Sequence, residues 1–599
     1  MTLSNRTRNV VLLCAVWLAV LAGDAMVAAQ PAATDPLQLV PAESLFCVRI
    51  NKLNATMGQV DQFLTGLSPF GLSMIVQGQL AQLLGSPDPN GVVMGGDFAL
   101  FGPLPGGDSP DPTRIGILVP ISDYQKFAKG NPNVTAPDAA GLSLIGPEGD
   151  QGLIATNVGG YALVSTAGNR QTLTEAKSWM PRGATSLAQR LSADEAKRAQ
   201  TSPVWLYANI QTVQKMFGPM IEAKMQEAKQ AMDQLKNMGQ APPMAANAGA
   251  IMDMYSGVIG TFLKETQSAS LTLTPSATAL RLDLAVAALP QTNMAKAFAA
   301  DSATMDRSFM RYLQNGAAMN ILAAVDSAAW GKFNDWGIGL LAQMAGKPTT
   351  DPEIQKIRKF ATDGTNALGG TLAVSMSADP KSKPPFAFRY VVGLKDPQAF
   401  SRMLDQMPSI LNSGLVSGFY QQMGIKFNVE LQRKAETYKD VAIDSLKFSI
   451  AADPNSPQGQ MIASMYGQGI NVRLASVNNL LVYAFAADSS AAIKGLIDQV
   501  KTAGSSAAVP SEVQTASQLI PGSEKADCLL TYNIVRLMQV GMSMVPLPIP
   551  VQAPNTKSTS NLAIAGSTAD GKLSVQIALP KQHLQELMGA VMQMQQRQN

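Results

Sequence analysis

Residues 562–587, LAIAGSTADGKLSVQIALPKQHLQEL, alternate apolar and polar positions through two short runs around a turn, then change to a helical period after Leu-Pro. Period two marks half-buried strands, and the turn between them marks a hairpin. Proline suits the first turn of the helix that follows. The same phrase stands at 271–298, LTLTPSATALRLDLAVAALPQTNMAKAF. Other stretches pair in the same chain order: 42–64 with 316–337, 113–130 with 386–404, 159–176 with 478–496, and 202–220 with 526–544. Similar units repeated in one order predict a tandem duplication, with halves at 37–300 and 301–599.

Recurring hairpins between short helices predict an α+β class, each half an antiparallel sheet with helices packed on one face. From 113 to 210 the order of strands and helices approximates a ferredoxin-like unit. Asp123 and Asp396 each precede a short helical run, SDYQKF and KDPQAF, where a carboxylate serves as an N-cap. Phe127 and Phe400 match in the two runs and are the expected core anchors. Pro/Gly/Ala-rich connectors fall at 237–250 and 545–560, and residues 414–440 have little counterpart in the first half.

The opening stretch changes the picture of destination. Arg6 and Arg8 precede an apolar run at 10–23, and Val27 and Ala29 follow as small residues. That is the pattern of a signal peptide over residues 1–29, cleaved before Gln30. The run is shorter than the roughly 18–20 apolar residues of a spanning helix, which disfavours an uncleaved anchor. No later run is long enough to span, so no transmembrane segment is expected in the mature chain, and export to the periplasm or beyond is. Hydrophobic residues make up 46% of the chain and charged ones 15%, enough for large cores. The net charge of +3 falls to +2 once two arginines and Asp24 leave with residues 1–29. With no basic run interleaved with aromatics, nucleic acid is not an expected partner. Cys47 and Cys528 remain, each in a strand-like run. They are open to two readings, a disulfide in an oxidising compartment or two buried thiols.

LVPAESLFCVRINKL at 39–53, VVGLKDPQAFSRML at 391–404 and NNLLVYAFAADSSAAIKGL at 478–496 together resemble a family of exported bacterial proteins known only as a domain of unknown function. The likeness covers most of the mature chain through short motifs. It implies an envelope or secreted location and brings no catalytic residues.

Candidate chemistry is sparse. His583 is the only histidine, lies near a helix start, and stands opposite Asn293 when Pro580 is set against Pro290. A structural or surface role is the simpler reading, beside an expected buried stripe of Leu584, Leu587, Met588, Val591 and Met592. No G-x-S-x-G elbow, phosphate loop or dinucleotide fingerprint occurs, and GGDSPDP, with Asp108 and Asp111, reads as a turn rather than a calcium loop. No catalytic residue, cofactor or metal site is therefore expected. The 31 methionines include Met-x-Met pairs, but on a helix such neighbours point about 200° apart and do not chelate together. Phe217, Ile221, Met225, Met232 and Leu235 recur at helical spacing, either as core or as an adaptable apolar groove. The resulting expectation is an exported, non-catalytic structural or interaction protein whose partner is an envelope component. A carrier of a lipid-like apolar ligand comes second, and a hydrolase with dispersed carboxylates third.

Overall fold

A computed structural model of the chain describes residues 34–104, 114–146, 152–180, 185–237, 248–299, 305–325, 331, 334–335, 337–339, 341–342, 346–379, 382–422, 425–452, 469–502, 508–544 and 556–598. Residues 1–29, Asp108, Asp111 and most of both connectors lie outside the described residues. Two compact units are formed. One holds the chain up to Ile221 together with Phe262–Met294; the other holds Glu222–Thr261 and the chain from Ala295 onward.

The first unit is built on strands β1 (Phe46–Ile50), β2 (Phe98–Gly102), β3 (Gly116–Pro120), β4 (Leu142–Ile145), β5 (Leu153–Val158), β6 (Tyr161–Thr166), β7 (Val204–Ala208), β8 (Thr266–Pro275) and β9 (Ala279–Ala288). Their order is β4-β5-β6-β3-β2-β1-β7-β8-β9, and every pairing is antiparallel. Residues 113–210 do not close a four-stranded ferredoxin-like sheet of their own, because β7 pairs with β1 and two strands separate it from β3.

Helices cover both faces of this sheet, not the one face expected. Helices α1 (Leu53–Leu64), α2 (Leu72–Leu84) and α3 (Tyr124–Gly130) bring Leu53, Met57, Val76 and Phe127 against Ile50, Phe98, Leu100 and Ile117. On the opposite face lie α4 (Arg170–Thr174), α5 (Ala176–Trp179), α6 (Leu187–Arg190) and α7 (Ala193–Thr201). They pack Leu173, Ala176, Leu187 and Ala199 over Cys47, Phe101, Leu118 and Trp205. The reason is visible in the strands themselves: FALFG is buried at all five positions, the continuous apolar signature of a strand covered twice. Two longer helices, α8 (Ile210–Asn237) and α9 (Ala248–Glu265), separate β7 from β8 in the chain, and α10 (Asn293–Ala299) follows β9.

The second unit has strands β10 (Ala317–Val325), β11 (Leu368–Ala378), β12 (Phe386–Leu394), β13 (Ile425–Tyr438), β14 (Val441–Ala452), β15 (Ile470–Val477), β16 (Leu480–Phe485), β17 (Cys528–Tyr532), β18 (Leu562–Ala569) and β19 (Lys572–Pro580). They run β13-β14-β15-β16-β12-β11-β10-β17-β18-β19, again antiparallel throughout. Its described helices are α11 (Pro352–Ala367), α12 (Pro397–Leu411), α13 (Gly414–Gln422), α14 (Ser489–Thr502), α15 (Ser511–Gln518), α16 (Ile534–Met544) and α17 (Lys581–Gln598). Both faces are covered here too. Ile493 and Leu496 of α14 and Val513 of α15 meet Leu322, Val391 and Val482, while Phe400 and Leu404 of α12 meet Val429, Leu446 and Leu474. Where Gly369 of β11 pairs with Gly393 of β12, Gly393 has no room for a side chain; a Cβ there would stand 2.2 Å from the Gly369 carbonyl oxygen.

Candidate functional site

A connected polar cluster in the second unit surrounds the start of α16. Asn533 is fully buried just before that helix, and its Oδ1 accepts the Arg536 N–H at 3.0 Å, an N-cap. Its amide nitrogen faces Ser558 Oγ at 2.8 Å, the Ser560 carbonyl at 3.0 Å and Asn561 Oδ1 at 3.0 Å. The strand approaching β18 is thereby fastened to the helix start. Arg536 clamps Glu512 of α15 through both terminal nitrogens, at 2.7 and 2.9 Å. It also donates to the carbonyls of Ala317, at 2.8 Å, and Ser558, at 2.5 Å. Burial pushes the Glu512 carboxyl up, but the Arg536 donors and the Gly316 N–H outweigh it and hold the group below its usual range.

His583 closes the cluster from α17. Its ring is fully buried. Nδ1 lies 2.7 Å from the Ser560 carbonyl oxygen, which only accepts, so Nδ1 carries the proton. Nε2 is then the acceptor for the Ile534 N–H at 3.3 Å, a second orphan donor of the helix start. Burial holds the imidazole below its ordinary value, against the opposing effects of the Ser560 bond and Glu586. Glu586 accepts from the hydroxyl of Ser558, from Ser560 Oγ at 2.8 Å, from Gln582 at 2.9 Å and from the Thr559 N–H at 3.3 Å. Those bonds override burial and keep its carboxyl low.

Serine, histidine and glutamate thus meet, yet the arrangement does not compose a nucleophile. Both ring nitrogens are committed to backbone groups, and the Ser558 and Ser560 hydroxyls donate to Glu586 rather than to an accessible base. The cluster ties α15, α16, α17 and the residues before β18 into one piece.

The commitment of His583 inward turns α17 with it. His583 and Ala590 are buried, whereas Met588 is 44% exposed, Val591 37% and Met592 56%. The stripe expected to be buried is therefore corrected: its outer residues face away, because the polar bonds of His583, Glu586 and Gln593, whose Oε1 accepts from Thr556, claim the inner face.

Other candidates fall elsewhere. Asp123 accepts the Lys126 N–H at 2.9 Å, and Asp396 accepts those of Gln398 at 3.0 Å and Ala399 at 2.9 Å, so both carboxylates cap helices. Cys47 and Cys528 are free thiols. Cys47 sits within the core of the first unit, where burial drives its thiol far above the usual range; Cys528, half-buried in β17, is raised for the same reason. Phe217, Ile221 and Met225 of α8 are half-exposed, and the side chains of Met232 and Leu235 lie outside the described residues.

Most of the cluster escaped the sequence, since Glu512, Asn533, Arg536, Ser558 and Glu586 come from separated segments with no shared spacing. One signal was present. Asn209 and Asn533 occupy the same place in the paired runs SPVWLYANI and ADCLLTYNI, and Asn209 caps its own helix through the Thr212 N–H at 3.2 Å.

Among the described residues no group of three or more His, Cys, Asp and Glu side chains stands close enough to hold a metal ion. No described helix is long and apolar enough to cross a membrane. The chain matches no protein family, no curated protein and no solved structure.

Proposed function

We propose that this chain is an exported, non-catalytic structural or interaction protein of the bacterial cell envelope, built from two duplicated halves and related to the uncharacterised exported family it resembles. The observation that carries the reading is how its polar chemistry is spent. The sole histidine accepts from a helix start, Glu512 is paired with Arg536, and the serines beside the histidine donate to Glu586, while apolar side chains stand outward on α17. Duplication is supported by strand order. Reading from β5 to β9, and from β15 to β19, the strands follow the same sequence of neighbours: a hairpin, three strands taken in reverse chain order, then a final strand leading into a hairpin. Export follows from residues 1–29 as a signal peptide.

The test is expression of the full chain in a bacterial host, followed by fractionation, intact mass and crosslinking in the envelope fraction. An exported chain starting at Gln30, with a crosslinked envelope partner lost on Met592→Asp, supports the reading. A cytosolic chain that retains residues 1–29, or reproducible turnover of a substrate abolished by one substitution, overturns it. A second reading, a carrier of a lipid-like ligand, draws on the half-exposed line of Phe217, Ile221 and Met225 along α8. Stoichiometric lipid in the native mass spectrum would favour it.

A further inference from the structure

Across the sheet of the second unit runs one continuous polar row: Ser445, Arg473, Ala484, Arg389, Ser375, Asn320 and Thr531 are cross-strand partners on seven neighbouring strands, β14 to β17. Directly paired residues of an antiparallel sheet share a face, so these side chains emerge together. They do so beside the core that contains Val391, Ala475 and Val482. Most of the row is internally bonded. Asn320 accepts from Ser375 Oγ at 2.6 Å and from the Gln314 N–H at 3.1 Å, and it donates to Thr531 at 3.4 Å. Ser445 turns to Asn471, at 3.0 Å.

The two arginines are the exception. Arg389 makes one bond, to the neutral Gln499 Oε1 at 3.1 Å, and Arg473 makes none among the described residues. The Nε of each is buried without an acceptor, although a guanidinium carries five N–H donors. Neither is in an ion pair with a described carboxylate. Glu436, whose charge Arg473 influences, is already held by Lys494 and Ser490. Two half-buried cations without a described carboxylate partner are costly; Arg536, by contrast, has Glu512, and Arg49 has Asp35 and Asp97. Burial alone holds the Arg389 group below its usual value. Between them β16 places Ala484, a small residue buried in the adjoining core, so no larger side chain stands between the two arginines on that strand. Strands are spaced about 4.8 Å apart, so the two arginine backbones stand roughly 10 Å apart, a span two such side chains bridge with one anion between.

We propose that Arg389 and Arg473, set either side of Ala484, form a binding site for an oxyanion, the phosphate or carboxylate group of a small ligand. The guanidinium fork matches either group through paired N–H bonds. Gln499 orients Arg389 from α14. This site is independent of the envelope reading above.

Calorimetric titration of the full mature chain with inorganic phosphate, and separately with succinate, tests it at ionic strength matched by sodium chloride. Saturable one-to-one binding of at least one anion is expected, weakened tenfold or more by Arg473→Ala and by Arg389→Gln. The stronger of the two titrants identifies the group. Near-ultraviolet circular dichroism checks that each variant is folded, and Arg473→Lys, which keeps charge without the fork, should bind weakly and fold normally. Failure of wild-type protein to bind either anion, or binding unchanged in folded Arg473→Ala, overturns the proposal.

Discussion

A single buried imidazole sets an acid limit on this fold. His583 is held neutral, with its proton on Nδ1, and protonating Nε2 would point a second donor at the Ile534 N–H. Its folded value lies below the ordinary 6.5, so the unfolded chain takes up the proton first as pH falls. The stabilisation is complete above 6.5 and is lost as pH drops through the folded value. Chemical denaturation at stepped pH should show this decline, and His583→Gln, which does not titrate, should flatten it. Arg536→Ala tests the neighbouring ion pair. It strands the Glu512 carboxylate in a largely buried setting and should cost about 3 kcal/mol, read from urea unfolding. The thiols make a third prediction. In a chain lacking residues 1–29, and with them Cys14, both Cys47 and Cys528 should alkylate fully in denatured, unreduced protein, seen as two added labels by mass, with no change after reductant.

Among elements, the helix caps give the cleanest measurement. Asp396→Ala removes an acceptor of two N–H groups and should destabilise by about 1 kcal/mol, whereas Asp396→Asn should cost less. These caps were readable, because a carboxylate before an amphipathic run has a local cause. Hairpins such as β8–β9 and β18–β19 were readable for the same reason: alternation and a turn are properties of adjacent residues. The second layer of helices was not. A strand such as FALFG gives equal apolar signal on both sides; α1 to α3, near it in the chain, cover one side, and the more distant helices between Arg170 and Thr201 cover the other. The face of α17 was misjudged from its apolar stripe because the bonds of His583 and Glu586, made to residues 534 and 558–560, outweigh hydrophobic periodicity there. The arginine row of the second unit was equally hidden, since its register depends on seven strands.

For the molecule as a whole, the two units share a succession of neighbouring strands, from β5 to β9 and from β15 to β19, and both contain runs that alternate alike in the sequence. The chemistry of a partner was not readable, because no local spacing announces a surface. One more consequence lies at the free margin of the second sheet. Among the described residues β13 pairs on one side only, with β14, and it is fourteen residues long. Such a margin is a template on which another chain can add itself. Here the register breaks between Gln432 and Glu436, Lys434 adopts φ +48°, and Arg433 is drawn aside to Asp444 and Asp405. A bulge, a left-handed lysine and a line of charge together interrupt the template at mid-length. The longest open strand among the described residues thus carries its own guard against edge-to-edge aggregation, built into its backbone and its charges.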